Sequence, residues 1–161
     1  MKSSILLTID GAVEHPVAFS FEDLSRLPEE DVVADISRFH PGREGDGVTL
    51  EALLRIARPS AEANYVTLHA GRDDFHVSVP IEPLRLQGVV VFRRGLEPLD
   101  PKNGGPVRLI IRDLHECGAS ELDDCANVKY LDRIEPTVKK GRDTRPVDSA
   151  AHAALHEREK T

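Results

Sequence analysis

The chain has 161 residues, 40% hydrophobic and 30% charged, enough to bury one sizeable core and too few for two. Its net charge of −7, with two tyrosines, five phenylalanines and no tryptophan, argues against a nucleic-acid partner: phosphates are repelled and few rings can stack on bases. No apolar run suits a signal peptide or a membrane span, so one cytoplasmic domain with no membrane partner is expected.

The first apolar run, "ILLTIDG", reads as a strand ended by Asp10-Gly11. "PVAFSFEDLSRLP" passes from an alternating strand into a short helix that the Ser20 hydroxyl can cap, with Pro28 closing it. "DVVADISRF" alternates as a strand, and the glycine-rich "HPGREGDG" that follows reads as an irregular loop. In "VTLEALLRIARP", Leu50, Leu53, Leu54 and Ala57 form one apolar helical stripe behind Thr49 as cap, with Pro59 at its end. "NYVTLHA" and "FHVSVP" are strands around a "GRDD" turn, which puts His69 and His76 on opposite arms of a hairpin. "VVVFRRG" is a buried strand, "LEPLDPKNGGP" a loop, "VRLIIRD" another strand, and "NVKYLDRIEP" the last element. From Lys139 the chain turns polar. Residues 1–138 are thus expected to form the domain and 139–161 a tail, in which "SAAHAALHEREK" either makes a short helix through Ala150, Ala154 and Leu155 or frays.

The order of these pieces resembles the oxidoreductase molybdopterin-binding domain, the sulfite-oxidase-like family, from about residue 5 to residue 137. "EPLDPKNGGPVRLII" is similar to the family segment in which a Gly-Pro turn leads into a strand bearing an arginine, and "NVKYLDRIE" to its closing segment with a lysine. The resemblance implies an α+β fold of mixed sheets and short helices, with a pocket that holds a pterin phosphate through basic groups while a cysteine thiolate binds molybdenum. It assigns Arg108 and Lys129 to the phosphate, places Asp73 where the family has an acidic residue before an aromatic, here Phe75, and sets Asn103 where relatives often carry His. At the position of the metal-binding cysteine stand Arg38, Phe39 and His40, so Arg38 joins the cofactor candidates and the thiolate is missing. Tyr130 replaces a Trp common after the lysine.

Both cysteines lie in "LHECGASELDDCANVKYL". Three readings stand. Cys117 and Cys125 are inert buried thiols, or a reversible disulfide, or ligands in which one thiolate refills the vacant position. As ligands they could also join His115 and a distant His40 or His76 around zinc, although the Cys-x7-Cys spacing is unlike a zinc knuckle; non-covalent haem is a further alternative. Glu116, Glu121, Asp123 and Asp124 oppose thiolate formation nearby. Two functions follow: a non-catalytic or altered descendant whose pocket binds the anionic molybdopterin, another metal or a partner protein, or an active molybdopterin-dependent oxidoreductase passing electrons to a partner.

Overall fold

A computed structural model describes residues 4–38, 43–112 and 127–144. Among the described residues the architecture is α+β: two five-stranded sheets with three short helices. The first sheet has the order β2 (Val17–Ser20), β1 (Ile5–Ile9), β10 (Arg133–Thr137), β5 (Tyr65–Ala70), β6 (Phe75–Pro80). Only β1 and β10 run parallel, with Thr8 opposite Arg133. In the second sheet β3 (Val32–Val33) pairs β4 (Asp46–Thr49), β4 pairs β7 (Gly88–Arg94), and the other edge of β7 takes β9 (Arg108–Ile111) and β8 (Glu97–Pro98) end to end.

Local chemistry sets the helix starts. Ser20 Oγ accepts the Asp23 N–H (3.1 Å) and the Asp23 carboxylate accepts the Ser20 N–H (2.9 Å), a reciprocal cap on α1 (Phe21–Ser25). The bond from the Ser20 backbone, then that from its hydroxyl, holds the Asp23 carboxyl below its ordinary value. Thr49 Oγ1 accepts the Ala52 N–H (3.2 Å) at the start of α2 (Leu50–Ala57), whose Leu50, Leu53, Leu54 and Ala57 stripe is fully buried as the spacing requires. The helix stops where Arg58 turns left-handed, just before Pro59.

Three expectations need correction. The strand read over 31–39 shrinks to Val32–Val33, because Asp35 adopts φ 53°, accepts the Ser37 N–H (3.2 Å) on its own carboxylate and donates its N–H to Asp46 Oδ1 (2.8 Å), which bends the chain into a tight turn over Ile36–Arg38. The loop read over 40–47 ends early. Asp46 and Gly47 belong to β4, where a Cβ on Gly47 would sit 2.4 Å from the Val90 carbonyl oxygen, so this glycine marks close strand approach. A third helix, α3 (Ile81–Gln87), stands where none was expected; Pro83 falls in its first turn, where an amide hydrogen has no helical partner to lose.

The main core lies between the sheets and helices, with Leu7, Leu54, Leu68, Val90, Phe92 and Leu109 among its members. A smaller core of Val33, Ile36, Val89, Val91, Leu99 and Ile110 fills the other face of β7 and β9. Burial on both faces explains the uninterrupted apolar run in β7. It also orients β9: Leu109 and Ile111 face the main core, while Arg108 and Ile110 share the face of the smaller one. Beyond β10 the packing continues, since Gly141–Thr144 bond to β6. The helix expected further along the tail lies outside the described residues.

Leu54→Ala is expected to cost about 2–5 kcal/mol, read as a lower urea midpoint at unchanged slope, because Leu54 is fully buried at the centre of the α2 stripe.

Candidate cofactor site

The site is built around the turn that feeds β9. Asp100 caps a 3₁₀ turn over Pro101–Asn103, its Oδ1 accepting both the Asn103 N–H (3.0 Å) and Asn103 Nδ2 (2.9 Å). Gly104 follows at φ 87°, and a Cβ on Gly105 would lie 1.8 Å from the Leu99 carbonyl oxygen, so only glycine lets this turn close. The chain then enters β9 with Arg108, which is 4% exposed and donates from Nη1 to the Asn103 carbonyl (3.1 Å).

Residues 127–131 run beside this turn. Leu109 N–H donates to the Val128 carbonyl (2.8 Å), Tyr130 N–H to Gly104 (2.8 Å), and Leu131 N–H to Val107 (2.8 Å). Tyr130 takes φ 56° and its hydroxyl donates to the Pro101 carbonyl (3.1 Å). These bonds bring the Lys129 stem against Gly104: a Cβ there would be 3.1 Å from both Arg108 Nη1 and Lys129 Cγ. Two basic side chains therefore meet at one glycine. A third, Arg72, lies over the Tyr130 ring at 4.1 Å, and its turn is tied down by the Gly71 N–H donating to Asp132 (3.0 Å). Arg72 was not singled out from sequence; nothing in "GRDD" signals a ring brought in from residue 130.

An open groove of about 400 Å³ is lined by Asp35, Ser37, Arg43, Glu44, Asp46 and Arg94. It carries both signs of charge, with Arg93 on Asp46 (3.3 Å) and Arg94 on Glu44. Arg94 also reaches Asp100 (3.9 Å), so the groove wall connects to the carboxylate that caps the Asn103 turn.

The remaining candidates are dispersed. Arg38 is exposed and folds back on its own turn, donating to the carbonyls of Ala34 (2.7 Å) and Asp35 (3.2 Å). Asp73 is exposed on the Gly71–Asp73 turn, which closes through the Asp74 N–H to Gly71 (3.2 Å). His76 has protein partners at both ring nitrogens, Asp74 and His69. Cys117, Cys125, His115 and His40 lie outside the described residues. Among the described residues no group of three or more His, Cys, Asp or Glu side chains is arranged to hold a metal, which leaves the zinc and haem alternatives without support there.

Residues 2–144 match the oxidoreductase molybdopterin binding domain. The chain belongs to this family. An uncharacterized oxidoreductase of Bacillus subtilis strain 168, YuiH, is 28% identical over 114 residues, 68% of this chain and 57% of that protein. In structure the chain is similar to the sulfane dehydrogenase SoxCD from Paracoccus pantotrophus, with a TM-score of 0.62 and 22% identity over 87% of this chain. It spans 40% of that SoxCD chain and a little over half of the Bacillus protein. The sulfite-oxidase-like fold is therefore present, and the pocket just described belongs to a molybdopterin-binding, oxidoreductase-like domain. No described helix is long and apolar enough to cross a membrane.

The donor set fits one end of such a cofactor. A buried guanidinium, an ammonium stem beside it and a third cation over an aromatic ring suit a phosphate. At the position where the family's cysteine is expected, Arg38 uses its guanidinium on its own turn.

Gly104→Ala is expected to destabilise the domain by about 1–2 kcal/mol, since the new methyl meets Arg108 and Lys129 at a left-handed φ. Urea denaturation checks this.

Proposed function

We propose that this domain holds an anionic molybdopterin-type cofactor by its phosphate, through Arg108 and Lys129, and is an altered member of its family in which the usual metal-ligating cysteine is absent. The observation that carries the reading is the meeting of the nearly buried Arg108 with Lys129 at Gly104. The Asn103 carbonyl orients the Arg108 guanidinium, whose planar fork of donors is the geometry that suits phosphate oxygens. Asn103 positions the arginine, and Tyr130 holds Arg72 at the rim. When bound, such a cofactor supplies a redox-active metal. In this reading Arg108 and Lys129 hold its phosphate end, and Arg38, which stands where the family's cysteine is expected and bonds to its own turn, is what favours a non-catalytic or altered binding role. A cytoplasmic setting, where stable disulfides are rare, is part of the same proposal.

A second reading rests on how the cysteine-bearing stretch is anchored. Its described ends leave and rejoin the strand of Arg108: Ile111 N–H donates to Asn127 Oδ1 (2.8 Å), and Leu109 N–H to the Val128 carbonyl. A thiolate from Cys117 or Cys125 would then restore the metal ligand, and an electron-accepting protein would complete an oxidoreductase.

The test is purification from a host that makes the cofactor, followed by molybdenum analysis and pterin fluorescence. Arg108→Ala and Lys129→Ala are each expected to weaken pterin retention about tenfold to a hundredfold, the worth of one charge-assisted bond. Unchanged retention overturns the clamp. Cys117→Ser or Cys125→Ser releasing molybdenum while pterin stays would select the second reading over the first.

A further inference from the structure

At the rim of the candidate site one cation is held by a ring and not by an acid. Elsewhere arginines lie on carboxylates, as Arg55 does on Asp31 (2.7 Å), Arg85 on Glu51 (2.8 Å) and Arg133 on Asp10 (2.7 Å). Arg72 is exposed, and among the described residues its guanidinium makes no ion pair. It lies over the Tyr130 ring, 4.1 Å from the centroid. The acids nearby do not hold it: Asp74 meets His76 Nε2 (2.8 Å) and Arg142 (3.3 Å), and Asp132 accepts the Gly71 N–H (3.0 Å). Stacking uses only the face of a guanidinium. Its N–H donors lie in the plane and stay available at the edge, whereas a carboxylate would occupy them.

The backbone fixes both members of this stack. A Cβ on Gly71 would sit 2.8 Å from Asp132 Oδ2, so glycine lets that carboxylate close on the turn that carries Arg72. Asp132 also donates its N–H to the His69 carbonyl (2.9 Å), which ties the end of β5 to the segment just after Tyr130. Tyr130 is left-handed at φ 56°, a conformation that a bulky residue adopts only at a cost in free energy. Two bonds keep it there, from its N–H to the Gly104 carbonyl (2.8 Å) and from its hydroxyl to the Pro101 carbonyl (3.1 Å). Gly104 is the residue against which Arg108 Nη1 and the Lys129 stem are set. One strained residue thus joins the Arg72 stack to the turn of the phosphate candidates.

We propose that Arg72 is a phosphate-binding residue of this site and that Tyr130 is the positioning residue that presents it. The inference rests on the reading of Arg108 and Lys129 as phosphate ligands, and adds to them a side chain from the β5–β6 turn. The ligand chemistry is a phosphate monoester, whose terminal oxygens can be shared among Arg108, Lys129 and the exposed edge of Arg72. Solvent screens Arg72, so it contributes less than the nearly buried Arg108. The ring holds a long side chain in one orientation, which lowers the cost of ordering it when the anion arrives.

The experiment uses the full chain made in a host that lacks the cofactor, titrated with inorganic phosphate at fixed ionic strength and followed by ³¹P line width. Arg108→Ala is expected to weaken phosphate binding about tenfold, and Arg72→Ala about threefold to fivefold. Tyr130→Phe keeps the ring and is expected to bind as the unaltered chain does. Tyr130→Asn tolerates the left-handed backbone without a ring. It is expected to match Arg72→Ala, and the double variant to lose no more than either. The chain has no tryptophan, so in a Tyr65→Phe background the emission comes from Tyr130 alone. Phosphate is expected to change that emission, and Arg72→Ala to abolish the change. Unchanged affinity in Arg72→Ala beside a loss in Arg108→Ala would overturn the inference and leave the parent reading standing. A loss in Arg72→Ala with none in Arg108→Ala or Lys129→Ala would overturn the parent reading and keep Arg72 as an anion ligand. Additive losses in the double variant would remove the role given to Tyr130, and the absence of saturable binding by the unaltered chain would sink both readings.

Discussion

The contact on which the candidate cofactor site depends is between two stretches of backbone. Gly105 passes so close to the Leu99 carbonyl that no side chain could intervene, and its N–H bonds to Asp100 (2.9 Å). Leu99 itself is a member of the smaller core, so this approach ties the turn to a packed interior. Asp100 orders Asn103, Asn103 takes Arg108, and Gly104 receives Tyr130. A polar pocket at a strand entrance thereby acquires the rigidity of a core, which is the condition for holding a charged ligand without reorganisation.

The two-sided burial of β7 and β9 explains why the pocket is charged at all. Strands covered on both faces offer few polar positions, and those occur where the covering elements end. Arg108 is such a position: its strand neighbour Ile110 is sealed under Val33 and Ile36, whereas the arginine lies at the strand start, where the chain turns through glycine. The groove on the other side of the Asp100 cap repeats the pattern with opposed charges, as Arg93 and Arg94 emerge where β7 leaves the core.

Features governed by local rules were legible in the sequence. The α2 stripe, the Ser20 and Thr49 caps and the hairpin that faces His69 with His76 follow from spacing and short-range bonding. The errors came from position-dependent chemistry: Asp35 bent a strand that alternates well, Gly47 served close packing and not a loop, and Pro83 sat where a helix tolerates it. At the candidate site, motif order singles out Arg108 and Lys129, and the structure sets both against Gly104. The contact of Arg72 with Tyr130 is not legible locally, because it depends on pairing between segments nearly sixty residues apart along the chain, which no local pattern encodes.

The parallel pairing of β1 with β10 sets the order in which this domain can be completed during synthesis. β10 is the central strand of its sheet, between the β1–β2 hairpin and the β5–β6 hairpin. Both hairpins are made early, yet each exposes an unpaired edge toward the gap until Arg133–Thr137 leave the ribosome. Insertion of that one strand joins the two hairpins in a single step, so the nascent domain stays open to mispairing until the strand emerges.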